Sequence, residues 1–412
     1  MNYLPVFINN LAILRKIQNM SMGEFEIIER KGIGHPDTVC DILSANTISS
    51  YITALSAEMG GVPNGWFDKV AISGGEAEIG FGESKIVKLP GIYLFGKAMA
   101  VDGNLSYVDE LFANEVDEAL RSIYGDAYNP EVHAPRIITD VNSGIGAEHD
   151  KSFYTRSNSV NTWDHRLSND TVACAGWYPF SDSELLTVSL ENFINGDVFK
   201  AQFPETGADV KVMTRRSGDQ TDITICVPFI ADRTPSEEFY EARKKEIVDY
   251  LTAVTEQTVP GVNIVINTKD VPGKGYLTVF GSAFDKGDCG MTGRGNKFPG
   301  VISVMRPSGV EAFSGKNPKN HTGRMYGTLT FEISRMLHQQ TGNSYTTVIT
   351  ANNGDSVEAP SGVYISENDR PVNVKDFRPV IDKAIDKVCA EEVIIGSADG
   401  LNNFRSGYGF FF

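Results

Sequence analysis

Short runs rich in β-branched residues alternate with stretches of helical periodicity along the chain, and this alternation restricts the fold to sheets covered by helices. FEIIE at 25–29, KVAIS at 69–73, RIITDV at 136–141, DITICVPFI at 222–230, VNIVINT at 262–268 and YLTVFG at 276–281 read as strands. From Val39, the apolar positions Ile42, Ile48, Ile52, Leu55 and Met59 keep roughly to one face of a helix. In TPSEEFYEARKKEIVDYLTAV, residues Thr234, Pro235 and Glu237 have the pattern of a capping box with proline at the first helical position. Other helices are expected from near Ser106, Asp182, Thr322 and Phe377. The fold class is therefore α+β, with about three comparable sheet-and-helix units. Divisions near 130 and 270 give units over 23–130, 131–270 and 271–412, which interleave. Residues 1–22 read as an extension or leader, with an organelle-targeting segment as the alternative. Arg15 and Lys16 follow the apolar stretch there, whereas a signal peptide carries its charge first.

The 412 residues carry a formal net charge of −16, which argues against a broad surface for nucleic acid. Any bound anion must be held by a local cluster of Lys and Arg. The five cysteines are scattered and lack zinc spacing, so a reducing cytoplasm fits better than a disulfide framework. No apolar run approaches the roughly 18 residues that a membrane span needs.

KGIGHPDTVCD, from Lys31 to Asp41, holds the most specific local signal. Pro36 suits the first turn of a helix, which puts His35 at the cap, Asp37 in the first turn and Asp41 four residues later on the same face. A helix start presents free N–H groups and partial positive charge, suited to phosphate. Gly32 and Gly34 would let the backbone approach such a ligand, and Asp37 could share a Mg²⁺ ion with phosphate oxygens. The plain alternative is a capped helix with dipole-compensating acids. Two later loops favour the phosphate reading. KGDCGMTGRGNKFPG sets glycines around Asp288, Arg294 and Lys297, and EAFSGKNPKNHTGRMYG brings Lys316, Lys319, His321 and Arg324 into another helix. Neither loop is a P-loop, and no dinucleotide-binding glycine motif follows a strand.

Taken in order, these segments resemble the S-adenosylmethionine synthetase family, chiefly its archaeal-type branch. ERKGIGHPDT at 29–38, SNDT at 168–171 with GWYPFSDSE at 176–184, DVKVM at 209–213, GRGN at 293–296 and GKNPKNHTGRMY at 315–326 carry the resemblance. GDCGMTGR and AFSGK are closer to the bacterial branch. The resemblance implies three structurally similar α+β domains and a homodimer with active sites between subunits. The implied reaction is attack of methionine sulfur on C5′ of ATP, followed by cleavage of triphosphate to pyrophosphate and phosphate. A thioether is a neutral nucleophile and needs no general base, so catalysis rests on in-line alignment and on stabilising the departing triphosphate.

By the same resemblance, His35 contacts the triphosphate near the leaving oxygen and Asp37 binds Mg²⁺. Lys211, Arg294 and Lys316 hold phosphates. Gly144, Gly146 and Ala312 belong to ATP-binding segments. Asp288 reaches the ribose or the methionine amine, and Glu76 and Asp170 face methionine. Glu29 precedes the His-Pro-Asp motif as an acid of undefined role, and a K⁺ ion is a further implied cofactor. Several positions depart from the family pattern, among them His149, which displaces an expected Asp, and VEAP at 357–360 in place of Ile-Asp-x-Pro. Ala147 replaces the serine of a Gly-x-Gly-Ser segment that begins at Gly144. Asn320 falls where the bacterial branch has a lysine for the methionine carboxylate, with Lys319 beside it. Gly295 stands where the bacterial branch has a lysine after Gly-Arg. These departures leave two alternatives: an enzyme of the same build acting on another thioether or nucleotide, and a non-catalytic regulatory relative.

Overall fold

The computed structural model describes residues 25–59, 62–143, 167–318 and 321–388. They form a mixed α/β structure in which three larger sheets each carry two long helices. The helices are α1 (Pro36–Met59), α2 (Tyr107–Tyr124), α3 (Asp182–Ile194), α4 (Glu237–Thr255), α5 (Thr322–Thr341) and α6 (Arg378–Val388).

In the first sheet the strands lie in the order Gly290–Met291, Trp66–Ser73, Gly91–Lys97 and Arg136–Asn142. Here α1 and α2 bury a core that includes Leu43, Tyr51, Phe67, Leu94, Phe112 and Leu120. The spacing of Val108, Phe112, Val116, Ala119 and Leu120 gives α2 one apolar stripe, and all five are buried. The second sheet runs Val262–Ile266, Gln220–Cys226, Lys211–Ser217, Phe25–Lys31 and Ile302–Ser303, with α3 and α4 against it. The third runs Arg370–Pro371, Gly362–Glu367, Tyr345–Ala351 and Val172–Tyr178, with α5 and α6. The chain crosses between them repeatedly. Phe25–Lys31 lies in the second sheet, yet α1 directly after it packs on the first. Residues 290–303 place one short strand in each of these two sheets.

Three local expectations are corrected. The run 222–230 is two strands, Gln220–Cys226 and Phe229–Ile230, broken at Val227 and Pro228 because proline has no N–H for a ladder. The cap of α4 is Ser236 rather than Thr234: the Ser236 hydroxyl accepts from the Phe239 N–H, whereas the Thr234 hydroxyl donates to the Ile230 carbonyl. Pro235 therefore precedes the cap. Finally, α1 is buried on almost every side rather than on one face, since its polar residues Asp37, Thr38, Asp41, Ser44 and Thr47 are buried alongside the apolar ones. What those polar groups pack against defines the candidate site.

Candidate active site

The first two turns of α1 are the spine. Asp37, Asp41 and Ser44 succeed one another along one side of the helix, four and then three residues apart. Asp37 Oδ1 accepts from the Met291 N–H at 3.0 Å, and Asp41 Oδ1 from the Gly293 N–H at 2.8 Å. A Cβ on Gly315 would sit 2.3 Å from Ser44 Oγ. Both glycine-rich loops are thus laid directly on α1, the first by Asp37 and Asp41 and the second by contact with Ser44. Gly295 has a specific cause here, because a Cβ at that position would lie 2.1 Å from Asp41 Oδ2. A lysine, as in the bacterial pattern, would require the Asp41 carboxylate to shift from this position. Burial pushes the Asp41 carboxyl up to about 7, against the opposing hydrogen bond from Gly293, and the charge of Asp37 adds to the rise.

His35 caps α1, its Nδ1 accepting from the Asp37 N–H at 3.2 Å. Burial drives this imidazole down to about 4; Asp37 opposes the fall, and Lys31 and Lys211 add to it. The ring is therefore neutral near pH 7. With Nδ1 accepting, its one proton sits on Nε2, which is a donor. The role expected of Gly32 and Gly34 is corrected. Their missing side chains admit the protein's own backbone, since a Cβ at 32 would be 2.5 Å from the Val210 carbonyl oxygen and one at 34 would be 2.6 Å from the Ala208 carbonyl carbon.

Cations surround this helix start. Lys31 and Lys211 are register partners on neighbouring antiparallel strands, and Lys211 Nζ lies 3.0 Å from Glu29 Oε2. Lys31 Nζ lies 2.9 Å from Asp37 Oδ2 and donates to the Arg294 carbonyl at 2.5 Å. Arg294 itself is exposed, and its guanidinium meets no carboxylate among the described residues. Lys297 Nζ donates to the Gly293 carbonyl at 3.1 Å. The structure thus brings together Glu29, His35, Asp37, Lys211 and Arg294, and adds Lys31, whose place in the same motif was the only available signal of its role.

A second group lies beyond Ala312, whose Cβ would be 2.8 Å from one on Gly293. A cavity of about 40 Å³ between the groups is lined by Asp41, Gly293, Lys297, Glu311, Ala312 and Phe313. Lys316 is buried here, 2.9 Å from Glu311 and 3.2 Å from Asp68. Burial alone would raise the Asp68 carboxyl, but Lys316 and Lys69 hold it below the usual carboxylate range. Asp170 sits on the turn before Val172–Tyr178. Its carbonyl accepts from the Ser168 hydroxyl, which is 2.8 Å from Thr322 at the start of α5.

Asp288 is exposed after Gly287, which takes φ 119°. The base of the Glu76 hairpin is near it, as a Cβ on Gly74 would lie 2.5 Å from the Asp288 carbonyl oxygen. Glu76 points outward, paired with Lys88 at 3.2 Å, so it is not drawn into either group within one chain. Gly144, Gly146 and Lys319, with Ala147, His149 and Asn320, lie outside the described residues. Nothing local in the sequence pointed to Asp68, which meets Lys316 across 248 positions.

The sequence model of the S-adenosylmethionine synthetase (AdoMet synthetase) family matches residues 10–394. The chain belongs to this family. An S-adenosylmethionine synthase of Hyperthermus butylicus is 33% identical over 335 residues, covering 78% of this chain and 80% of that protein. Those of Methanobrevibacter smithii and Saccharolobus solfataricus are each 32% identical, covering 76% and 82% of this chain and 77% and 83% of their own lengths. All three relatives are archaeal, in agreement with the branch that the motifs resemble.

Proposed function

We propose that the chain is an ATP-dependent methionine adenosyltransferase, forming S-adenosylmethionine from ATP and L-methionine and cleaving the released triphosphate to pyrophosphate and phosphate. The observation that carries this reading at the site is the start of α1. There a buried imidazole with an Nε2 donor lies beside Lys31 and Lys211, and Lys31 reaches the backbone of Arg294, inside a protein of net charge −16. Such a cluster holds a polyphosphate and serves an oxygen that gains charge as the C5′–O bond breaks. His35 donates to that leaving oxygen. Lys211 and Arg294 hold the phosphates, with Lys316 beyond the Gly293–Ala312 contact. Asp288, Glu76 and Asp170 bind the ribose and methionine ends.

Asp37 fits a Mg²⁺ site on the chemistry of its donors. It offers a carboxylate oxygen at the phosphate pocket, and no group of three or more ligating side chains occurs among the described residues, so phosphate oxygens and water would complete the shell. When bound, Mg²⁺ supplies neutralising charge to the phosphates. Lys31 Nζ, 2.9 Å from Asp37 Oδ2, would add a second positive charge beside the same phosphates. A K⁺ ion is a further cofactor of this reading.

The active protein is a homodimer of three similar domains, located in the cytoplasm. A partly exposed apolar row on the first sheet supports the dimer. Met291, Ala71, Tyr93 and Ile138 are neighbours across its four strands, with Phe95 stacked beside Tyr93, while the α1 and α2 core lies against the sheet's other face. The row begins at Met291, whose N–H binds Asp37, so it adjoins the candidate site. No helix among the described residues is long and apolar enough to cross a membrane.

The test supplies ATP with L-methionine, L-ethionine or selenomethionine and follows the sulfonium or selenonium product by mass spectrometry. L-methionine is expected to be used efficiently. Product from another thioether alone would move the assignment to a different substrate within the same build.

A further inference from the structure

The segment that delivers His35 is held mainly through its backbone. Gly32 donates to the Val210 carbonyl at 2.6 Å and Gly34 to the Ala208 carbonyl at 3.1 Å, so the loop runs along the lead-in to the Lys211 strand. Between the two glycines, Ile33 is buried in the first core and its N–H donates to Glu191 Oε1 at 3.3 Å, with open space beyond it. Ile33, Tyr124, Gly207, Ala208 and Phe280 line a cavity of about 610 Å³ there. The peptide joining Gly34 to His35 is held at both polar groups: the His35 N–H donates to the Gly32 carbonyl at 3.0 Å within the loop, and the Gly34 carbonyl oxygen faces other elements of the fold. That oxygen accepts from two buried hydroxyls, Tyr124 Oη at 2.8 Å and Ser282 Oγ at 3.0 Å, which come from α2 and from the loop that leads to Asp288.

We infer that Tyr124 and Ser282 are positioning residues for His35, clamping the Gly34 carbonyl so that the imidazole is presented to the leaving oxygen; this rests on the proposed role of His35.

Both donors are fixed by their surroundings. The Tyr124 ring packs edge-on to Phe280 and Phe284, with centroids 5.3 and 6.0 Å away. Asp209 Oδ2 lies 3.2 Å from Ser282 Oγ and accepts from the Ala283 N–H at 2.9 Å. Ser282 has a single proton for two possible acceptors. Burial pushes the Asp209 carboxyl up to about 7, a rise opposed by its bonds from Ala283 and Ser282. In its protonated form Asp209 donates to Ser282 Oγ and leaves the serine proton for Gly34. The clamp also couples two parts of the site: the Ser282 loop continues into Asp288, so the donor at the leaving oxygen and the acid at the ribose share one support.

Tyr124→Phe, Ser282→Ala and the double variant, made in the full chain, test the inference beside His35→Ala. The readouts are kcat, KM for ATP and for methionine, and the histidine ring signals by NMR. Each single variant is expected to lose about fivefold in kcat, the scale of one hydrogen bond, and the double variant about 30-fold, with KM held within about twofold. The His35 signal should move in the double variant while the other histidine signals stay. Tyr124→Phe keeps the ring packing and carries the test if the double variant does not fold. A double variant with wild-type kcat and an unmoved His35 signal overturns the clamp, even where His35→Ala is inactive. A wild type without adenosyl transfer instead removes the functional reading, and the NMR shift still decides whether the clamp positions His35.

Discussion

His35 acts in this account as a neutral donor, and that state follows from burial together with the cap it makes on Asp37. An NMR titration of the ring should give a midpoint near 4 with the proton on Nε2 above it; a midpoint near 6.5 would contradict the account. Because the folded value lies below that of the unfolded chain, protonation favours unfolding. The stability that this residue contributes is present above about pH 6.5 and is lost as the pH falls towards 4. Gly295 makes a second residue-scale case. Gly295→Ala places a Cβ against Asp41 and should cost about 1–3 kcal/mol, read from urea denaturation. An unchanged midpoint would mean that the Asp41 carboxylate shifts aside freely. His35, Asp37 and Arg294 could be picked out in the sequence as candidates because each lies in a short motif. Lys31 lay in a motif too, but only the fold shows that its ammonium reaches both Asp37 and Arg294.

At the scale of elements, the long helices and the longer strands were legible from their periodicity. The strands Gly290–Met291 and Ile302–Ser303 were not, since two residues hold no alternation to read, yet they join the glycine-rich loop to two sheets. The start of α4 was misplaced by two residues because Thr234 and Ser236 both precede acids, and only the chain's path decides which hydroxyl meets the helix. Ser236→Ala should therefore destabilise the protein by about 1 kcal/mol. A change below a few tenths in urea unfolding would show that the cap is not formed. The nature of α1 was also hidden. Its apolar positions announce a core helix, whereas its buried polar residues make sense only once two distant loops lie on it. A helix that carries a site along its first two turns can be neither rotated nor shifted without moving Asp37 and Asp41 together.

At the scale of the whole molecule, three sheets share strands drawn from distant parts of the chain, and the candidate site lies where the first two are stitched together by residues 290–303. Contacts such as Lys316 with Asp68 leave no trace in local sequence because they depend on that stitching. The apolar row on the first sheet carries the prediction for assembly. A Phe95→Glu, Ile138→Lys double variant should elute as a monomer in size-exclusion chromatography with light scattering and lose most adenosyl transfer. A fully active monomer would exclude a shared active site. The most direct measurement compares wild type with His35→Ala in the presence of ATP, Mg²⁺, K⁺ and L-methionine, quantifying S-adenosylmethionine, pyrophosphate and phosphate together with ATP binding. The account predicts all three products in equal amounts and only with methionine for the wild type, and a kcat lower by about 10²–10³ with ATP binding retained for His35→Ala. ATP binding by a folded wild type without sulfonium product, or unchanged turnover in His35→Ala, would contradict it.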